Sequence, residues 1–159
     1  MTKSDQNMAE LFAERSTQAA RNEIRALKAD KDGRAKEARF FRALAQGQKV
    51  HAAKLLLLMR GLAGSTDDNL AAALAEVESS SDALSDMIMV AATDRNALAE
   101  TAFTQFMRAS DSHAVRLNNV SADEGNYHVC SICGFIVPDT VPERCPVCRA
   151  VPEQFRAVE

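Results

Sequence analysis

Apolar residues recur at three- and four-residue intervals from about Ser4 to Asn119, a spacing that puts them on one face of a helix and not on one face of a strand. Breaks in that pattern divide the stretch into four long elements. The first helix is expected from near Ser4 to Ala29, and the polar run Asp30, Lys31, Asp32, Gly33 turns the chain. A second helix continues to about Arg60, where Gly61 and Gly64 end it. Ser65, Thr66, Asp67 and Asp68 supply N-cap candidates for a third helix. A shorter break near Thr93 and Asp94 opens a fourth, which runs to about Asn118.

The stripe that faces the core can be read from each element. In the first helix it is Ala13, Thr17, Ala20, Ile24 and Leu27. In the second it is Phe41, Leu44, Gln48, His51, Leu55 and Leu58. The third offers Leu70, Leu74, Val77, Ser81, Leu84 and Ile88, with Glu78 beside the stripe. The fourth offers Ala99, Phe103, Phe106, Ser110, His113, Leu117 and Val120. The second and fourth stripes are apolar at both ends, with a polar residue and a histidine three positions apart in the middle.

After Asn118 the composition changes. Residues 118–126 are polar and contain glycine, and all four prolines lie beyond position 137. The reading is an all-α chain, a four-helix bundle over residues 1–120, followed by a small separate domain over residues 126–159. A helix of about 26 residues is about 39 Å long, whereas the link from Ala63 to Asp68 reaches only about 20 Å when extended. That link cannot run back along the bundle. Either the helices alternate up and down, or helix pairs are exchanged between two chains.

Bulk composition narrows the classes of function. The chain has 159 residues and a formal net charge of −3, with no cluster of Lys and Arg, so no nucleic-acid partner is expected. No run approaches the ~20 apolar residues of a membrane span, and MTKSDQNMAE lacks the apolar core of a signal peptide, so a cytoplasmic protein is expected.

The chemistry is concentrated in the tail. All four cysteines occur as Cys130-x-x-Cys133-Gly134-Phe135 and, eleven residues later, Cys145-Pro146-x-Cys148. Two thiolates separated by two residues can chelate one ion from a tight turn, and two such turns close a tetrahedral sulfur site for iron or zinc. In a reducing compartment the pattern favours metal over disulfides. Tyr127, Phe135, Ile136, Val147 and Phe155 would shield the site from water. Ligand spacing does not choose between the two metals.

The polar belt at mid-height in the helices is a second candidate. Bundles that hold two irons place Glu-x-x-His on two helices and a Glu on each of the others. Here the pairs read Gln48-x-x-His51 and Ser110-x-x-His113. Two irons brought into a poorly solvated interior need anionic oxygen to offset desolvation, and amides, hydroxyls and neutral imidazoles do not supply it. Two readings stay open. In one, the histidines are core residues hydrogen-bonded by Gln48, Ser81, Ser110 and Thr17. Alternatively, His51 and His113, helped by Glu78, Glu14 or Asp111, hold a single ion or small ligand.

The tail, Tyr127-His-Val-Cys-Ser-Ile-Cys-Gly-Phe with Pro142-Glu-Arg-Cys-Pro-Val-Cys and an ending near Phe155, resembles the rubredoxin-like domain of the rubrerythrin family. The run from Phe41 to Ala52 resembles that family's second-helix motif, with Gln46 and Gln48 where the family has glutamate. Asn69-Leu-Ala-Ala-Ala-Leu resembles its third-helix opening. The resemblance implies a ferritin-like four-helix bundle, often an intertwined homodimer, which agrees with the short link before the third helix. It also implies a peroxidase with a di-iron centre fed by rubredoxin-type iron. The four cysteines, His51 and His113 match the family pattern. Its carboxylate positions fall at Thr17 or Glu14, at Gln48 and Ser110, and near Glu78 and Ser81. The expectation is therefore electron transfer through the tail iron, exchanged with a redox partner protein, over a degenerate di-iron site. The alternatives are a peroxidase with an unconventional metal site, or a zinc-ribbon scaffold.

Overall fold

The computed structural model describes residues 2–60, 64–123 and 125–158. It has four helices, α1 (Lys3–Lys31), α2 (Ala35–Arg60), α3 (Thr66–Thr93) and α4 (Ala97–Asn119). A 3-10 turn, Val120–Ala122, leads from α4 to the strands β1 (Tyr127–Cys130) and β2 (Ile136–Pro138), and a second, Pro152–Gln154, leads into β3 (Phe155–Ala157). The fold class and element order expected from the sequence are borne out. Gly61, expected to stop α2, lies outside the described residues, as do residues 62 and 63.

Local chemistry explains the ends. Thr2 caps α1, and its hydroxyl accepts from the Asp5 amide while the Asp5 carboxylate accepts from the Thr2 amide. Ser65 and Asp68 build the same reciprocal pair at α3, so Ser65 is the cap among the four candidates. Asn96 caps α4 by accepting from the Ala99 amide. Between α1 and α2 the chain reverses at Gly33, whose φ of 72° suits a residue without Cβ, and the Arg34 amide closes the turn onto the Ala29 carbonyl at 2.8 Å.

The chain divides into two compact units, Met1–Ala63 and Gly64–Glu159. The first is the α1–α2 hairpin. Its seam is built from small residues, with Ala19, Ala26 and Ala29 of α1 and Ala38, Ala45 and Ala52 of α2 all buried. Alanines seven residues apart return to the same side of a helix every second turn, and their small side chains let two backbones approach closely. The stripe expected to be buried in α1 is not the one in the seam. Ala13, Thr17 and Ala20 are exposed, as are Ile24 at 67% and Leu27 at 53%. A two-helix hairpin has one seam, and the alanine stripe takes it because it permits the closer approach. The larger apolar residues therefore lie on another face of the same helix.

In the second unit α3 packs on α4, and α4 also packs on the sheet. The α3 stripe of Leu70, Leu74, Val77, Ser81, Leu84 and Ile88 is half-buried throughout, as expected. The sheet order is β2-β1-β3, both pairs antiparallel, with Tyr127 opposite Pro138 and Cys130 opposite Phe155. Among the described residues no helix is long and apolar enough to cross a membrane.

Candidate metal centre

The last residue of β1 is Cys130, and β1 ends there because the chain folds back at once. The Gly134 amide donates to the Cys130 carbonyl and the Cys130 amide to the Phe135 carbonyl, both at 2.9 Å. The second turn repeats this arrangement. The Arg149 amide donates to the Cys145 carbonyl and the Cys145 amide to the Ala150 carbonyl, again at 2.9 Å. In each knuckle the residue after the second cysteine is left-handed, Gly134 at φ 78° and Arg149 at φ 64°. The sequence signalled the first through its glycine. It gave no signal for the second, because an arginine stands where glycine would be unstrained.

The two turns bring all four sulfurs within 4.8 Å of one another. Cys130 Sγ lies 3.7 Å from Cys148 Sγ, and Cys133 Sγ lies 3.6 Å from Cys145 Sγ. A disulfide needs about 2.05 Å, and the four cysteines are unbridged. A tetrahedral ion with metal–sulfur bonds of about 2.3 Å sets its sulfurs about 3.8 Å apart. The separations of 3.6 and 3.7 Å fit that geometry to within a few tenths of an ångström.

Electrostatics at the thiols follow from burial and backbone amides. Cys130, Cys133 and Cys145 are buried and Cys148 is half-buried. Burial pushes the Cys133 thiol far above the usual thiol range, against an opposing hydrogen bond from the Phe135 amide. Burial also raises Cys148, opposed by the Ala150 amide. At Cys130 burial again disfavours the thiolate, but hydrogen bonds from the Ile132 and Cys133 amides and the Cys148 thiol outweigh it and lower the pKa. The amides aimed at sulfur also stabilise the thiolates of a filled site, where the cation itself supplies the dominant charge.

The surroundings are apolar. Phe135, Val147, Ala150 and Phe155 pack against the buried cysteines. Tyr127 and Ile136, expected beside them, instead line an apolar groove of about 400 Å³ together with Val77, Leu117 and Val120. The Tyr127 hydroxyl donates to Asp123 at 3.0 Å, which ties the β1 end to the stretch after α4. The sequence pattern alone missed this pairing of a tail residue with a helix-side carboxylate.

His51 is exposed on α2, and Glu78 is exposed on α3. His113 is half-buried on α4, and its Nε2–H donates to the Gly134 carbonyl at 2.9 Å, since a carbonyl can only accept. The helix histidine thus holds the first cysteine knuckle. Gln48 lies in an amide ladder on the α1–α2 seam. It donates through Nε2 to Gln18 at 3.1 Å and accepts from the Asn22 amide group at 2.9 Å. Gln18 in turn donates to Glu14 at 2.6 Å, and Arg25 donates to the buried Asn22 at 2.7 Å. Ser81 donates to Asp111 at 2.6 Å.

Comparisons agree with this geometry. Residues 128–156 match the profile of the family described as rubrerythrin, rubredoxin-like domain. No curated protein sequence matches the chain. Three solved structures of nigerythrin, in its mixed-valence, partially reduced and fully reduced, all-ferrous states, are each 24% identical over 99% of this chain and 88% of theirs. Their TM-scores are 0.54, 0.55 and 0.54. The resemblance read from the sequence is thereby borne out, and the tail is a rubredoxin-like domain of the rubrerythrin type behind four helices that share the fold of nigerythrin.

Proposed function

We propose that the chain transfers electrons one at a time through a rubredoxin-type iron held by Cys130, Cys133, Cys145 and Cys148. The observation that carries this reading is the sulfur geometry, with separations of 3.6 and 3.7 Å inside an apolar shell. Iron held by four thiolates changes by one electron without gaining or losing a ligand, which suits a rigid pair of knuckles. The protein's own part is to fix the four sulfurs, donate amide hydrogen bonds to them and exclude water.

The helices serve this reading as a scaffold with a degenerate di-iron site. Gln48 stands where a Glu-x-x-His glutamate would, and both ends of its amide are engaged by Gln18 and Asn22. His113 is engaged by the Gly134 carbonyl. Both support a packing role. The same reading includes a homodimer. Ile24, Leu27, Leu58 and Phe106 are exposed in the single chain, and a second copy with exchanged helix pairs would cover them.

Protein from iron-replete cells is assayed for metal content and visible spectrum, with sedimentation for the oligomer. The expected result is about one iron per chain, a red dimer and bleaching by dithionite. A colourless, zinc-loaded protein overturns the electron-transfer reading, and about three irons per chain overturns the degenerate site.

A further inference from the structure

Two arginines flank the second cysteine pair in a unit whose helix α3 is acidic. The helix α3 bears Asp67, Asp68, Glu76, Glu78, Asp82 and Asp86 and has no Lys or Arg. Beside the sulfurs two positive charges stand next to the ligands, among the exposed acids Glu143 and Glu153. Arg144 immediately precedes Cys145 and Arg149 immediately follows Cys148, and both arginines are exposed. Neither is in an ion pair among the described residues. Arg144 reaches across its own turn, with its guanidinium 3.5 Å from the Arg149 carbonyl, so its charge lies over the second knuckle.

Two further features single out this rim. Arg149 has φ 64°, a left-handed conformation that glycine takes freely and that costs an L-residue backbone strain. The matching position of the other knuckle is Gly134. An arginine held under strain where glycine would relax the chain marks its side chain as the useful part. The two knuckles also expose apolar residues, Ile132 inside the first and Val151 just beyond the second, at 55% and 36% exposure. Each ligand is one to three residues from this surface, and Cys148 is the ligand that is not fully buried.

On the electron-transfer reading above, we propose that Arg144 and Arg149, with Ile132 and Val151, form the docking face for a one-electron redox protein whose own docking face carries carboxylates around an apolar centre. One electron crosses this face between the tail and the partner's redox centre, one being oxidised as the other is reduced, and no proton or bond moves. The acidic α3 repels the same partner, so the charge pattern orients the encounter as well as strengthening it.

Small ions of opposite charge serve as probes. The dithionite-reduced full chain is oxidised in a stopped-flow mixer at low salt by hexacyanoferrate(III) or by tris(phenanthroline)cobalt(III). The variants are Arg149→Gly and the double variant Arg144→Gln with Arg149→Gly. With the anion the double variant is expected to react about tenfold more slowly than the native chain, and only the native rate should fall steeply with added salt. With the cation the double variant should react no more slowly. Arg149→Gly alone should also slow metal release to a chelator, by about fivefold, because it relieves the strained backbone. A variant that holds its metal more tightly yet reacts more slowly with the anion separates docking from folding. An anion rate unchanged in both variants, on a protein that still bleaches and recolours, overturns the docking face alone. A tail that neither oxidant nor dithionite alters overturns the docking face together with the electron-transfer reading.

Discussion

Replacing His113 with phenylalanine keeps a ring of similar size on α4 and removes the Nε2–H that donates to the Gly134 carbonyl at 2.9 Å. That carbonyl lies on the residue after Cys133, inside the turn that also closes the Gly134 amide onto the Cys130 carbonyl. A hydrogen bond of this kind contributes about 1 kcal/mol net, and the half-buried carbonyl left behind recovers part of its loss from water. The knuckle should therefore open about fivefold more often. Amide hydrogen exchange over residues 130–135 reads the opening directly, and metal analysis of the same sample reads the ligands. The expected outcome is faster exchange at the Cys130 and Gly134 amides with metal content unchanged. His51→Gln, at an exposed position, should change neither quantity. Unchanged exchange would show that α4 does not hold the knuckle, and loss of a bound ion would make His113 a ligand and refute the packing role.

Other perturbations test other parts of the structure. Gln48→Glu restores a Glu-x-x-His motif but sets a carboxylate oxygen against the Gln18 oxygen that now accepts from Gln48. It should cost about 1–3 kcal/mol in a denaturant melt, and a gain in stability would contradict the ladder. Gly134→Ala meets no atom within 4 Å of its new Cβ, so only the left-handed backbone resists it. Chelator-driven metal release should quicken about tenfold, and a collapse of the tail would point to a steric role instead. Ser65→Ala removes the cap of α3 and should lower stability by about 1 kcal/mol. The Ser65 hydroxyl and amide hold the Asp68 carboxyl below its ordinary value. That contribution is present above about pH 4 and lost as the pH falls through the lowered value, so a carboxyl titration of Asp68 at or above the ordinary range contradicts the capping box. Burial raises Cys133 and Cys148, so metal must displace their protons at neutral pH. Apparent affinity should rise steeply between about pH 6 and pH 9, and a flat profile would mean the thiols are already ionised.

How much of this was legible beforehand depends on how local the cause is. Helix positions, the Ser65 cap and the turn after Asp32 follow from residues within a turn or two of each other, and the structure has them where the pattern put them. The metal site was equally legible, because two C-x-x-C turns can bring four sulfurs together in few ways. The stripe expected to be buried in α1 is not the one in its seam with α2. Periodicity shows that a helix has an apolar face, and it points to the stripe of Ile24 and Leu27, whereas the seam with α2 goes to Ala19, Ala26 and Ala29. Close approach of two backbones rewards the small side chain, and no single-helix pattern contains that term.

What the sequence determined alone is the set of elements and the ligand chemistry of the tail, since both arise from contacts short in chain distance. What only the tertiary structure decided is where the polar residues of the belt spend their hydrogen bonds. His113 turned to a carbonyl twenty-one residues ahead, and Gln48 turned to Gln18 and Asn22 across a hairpin. Such pairings depend on which helix faces which neighbour, because a hydrogen bond is made only within about 3 Å, and the chain must be folded before that distance exists.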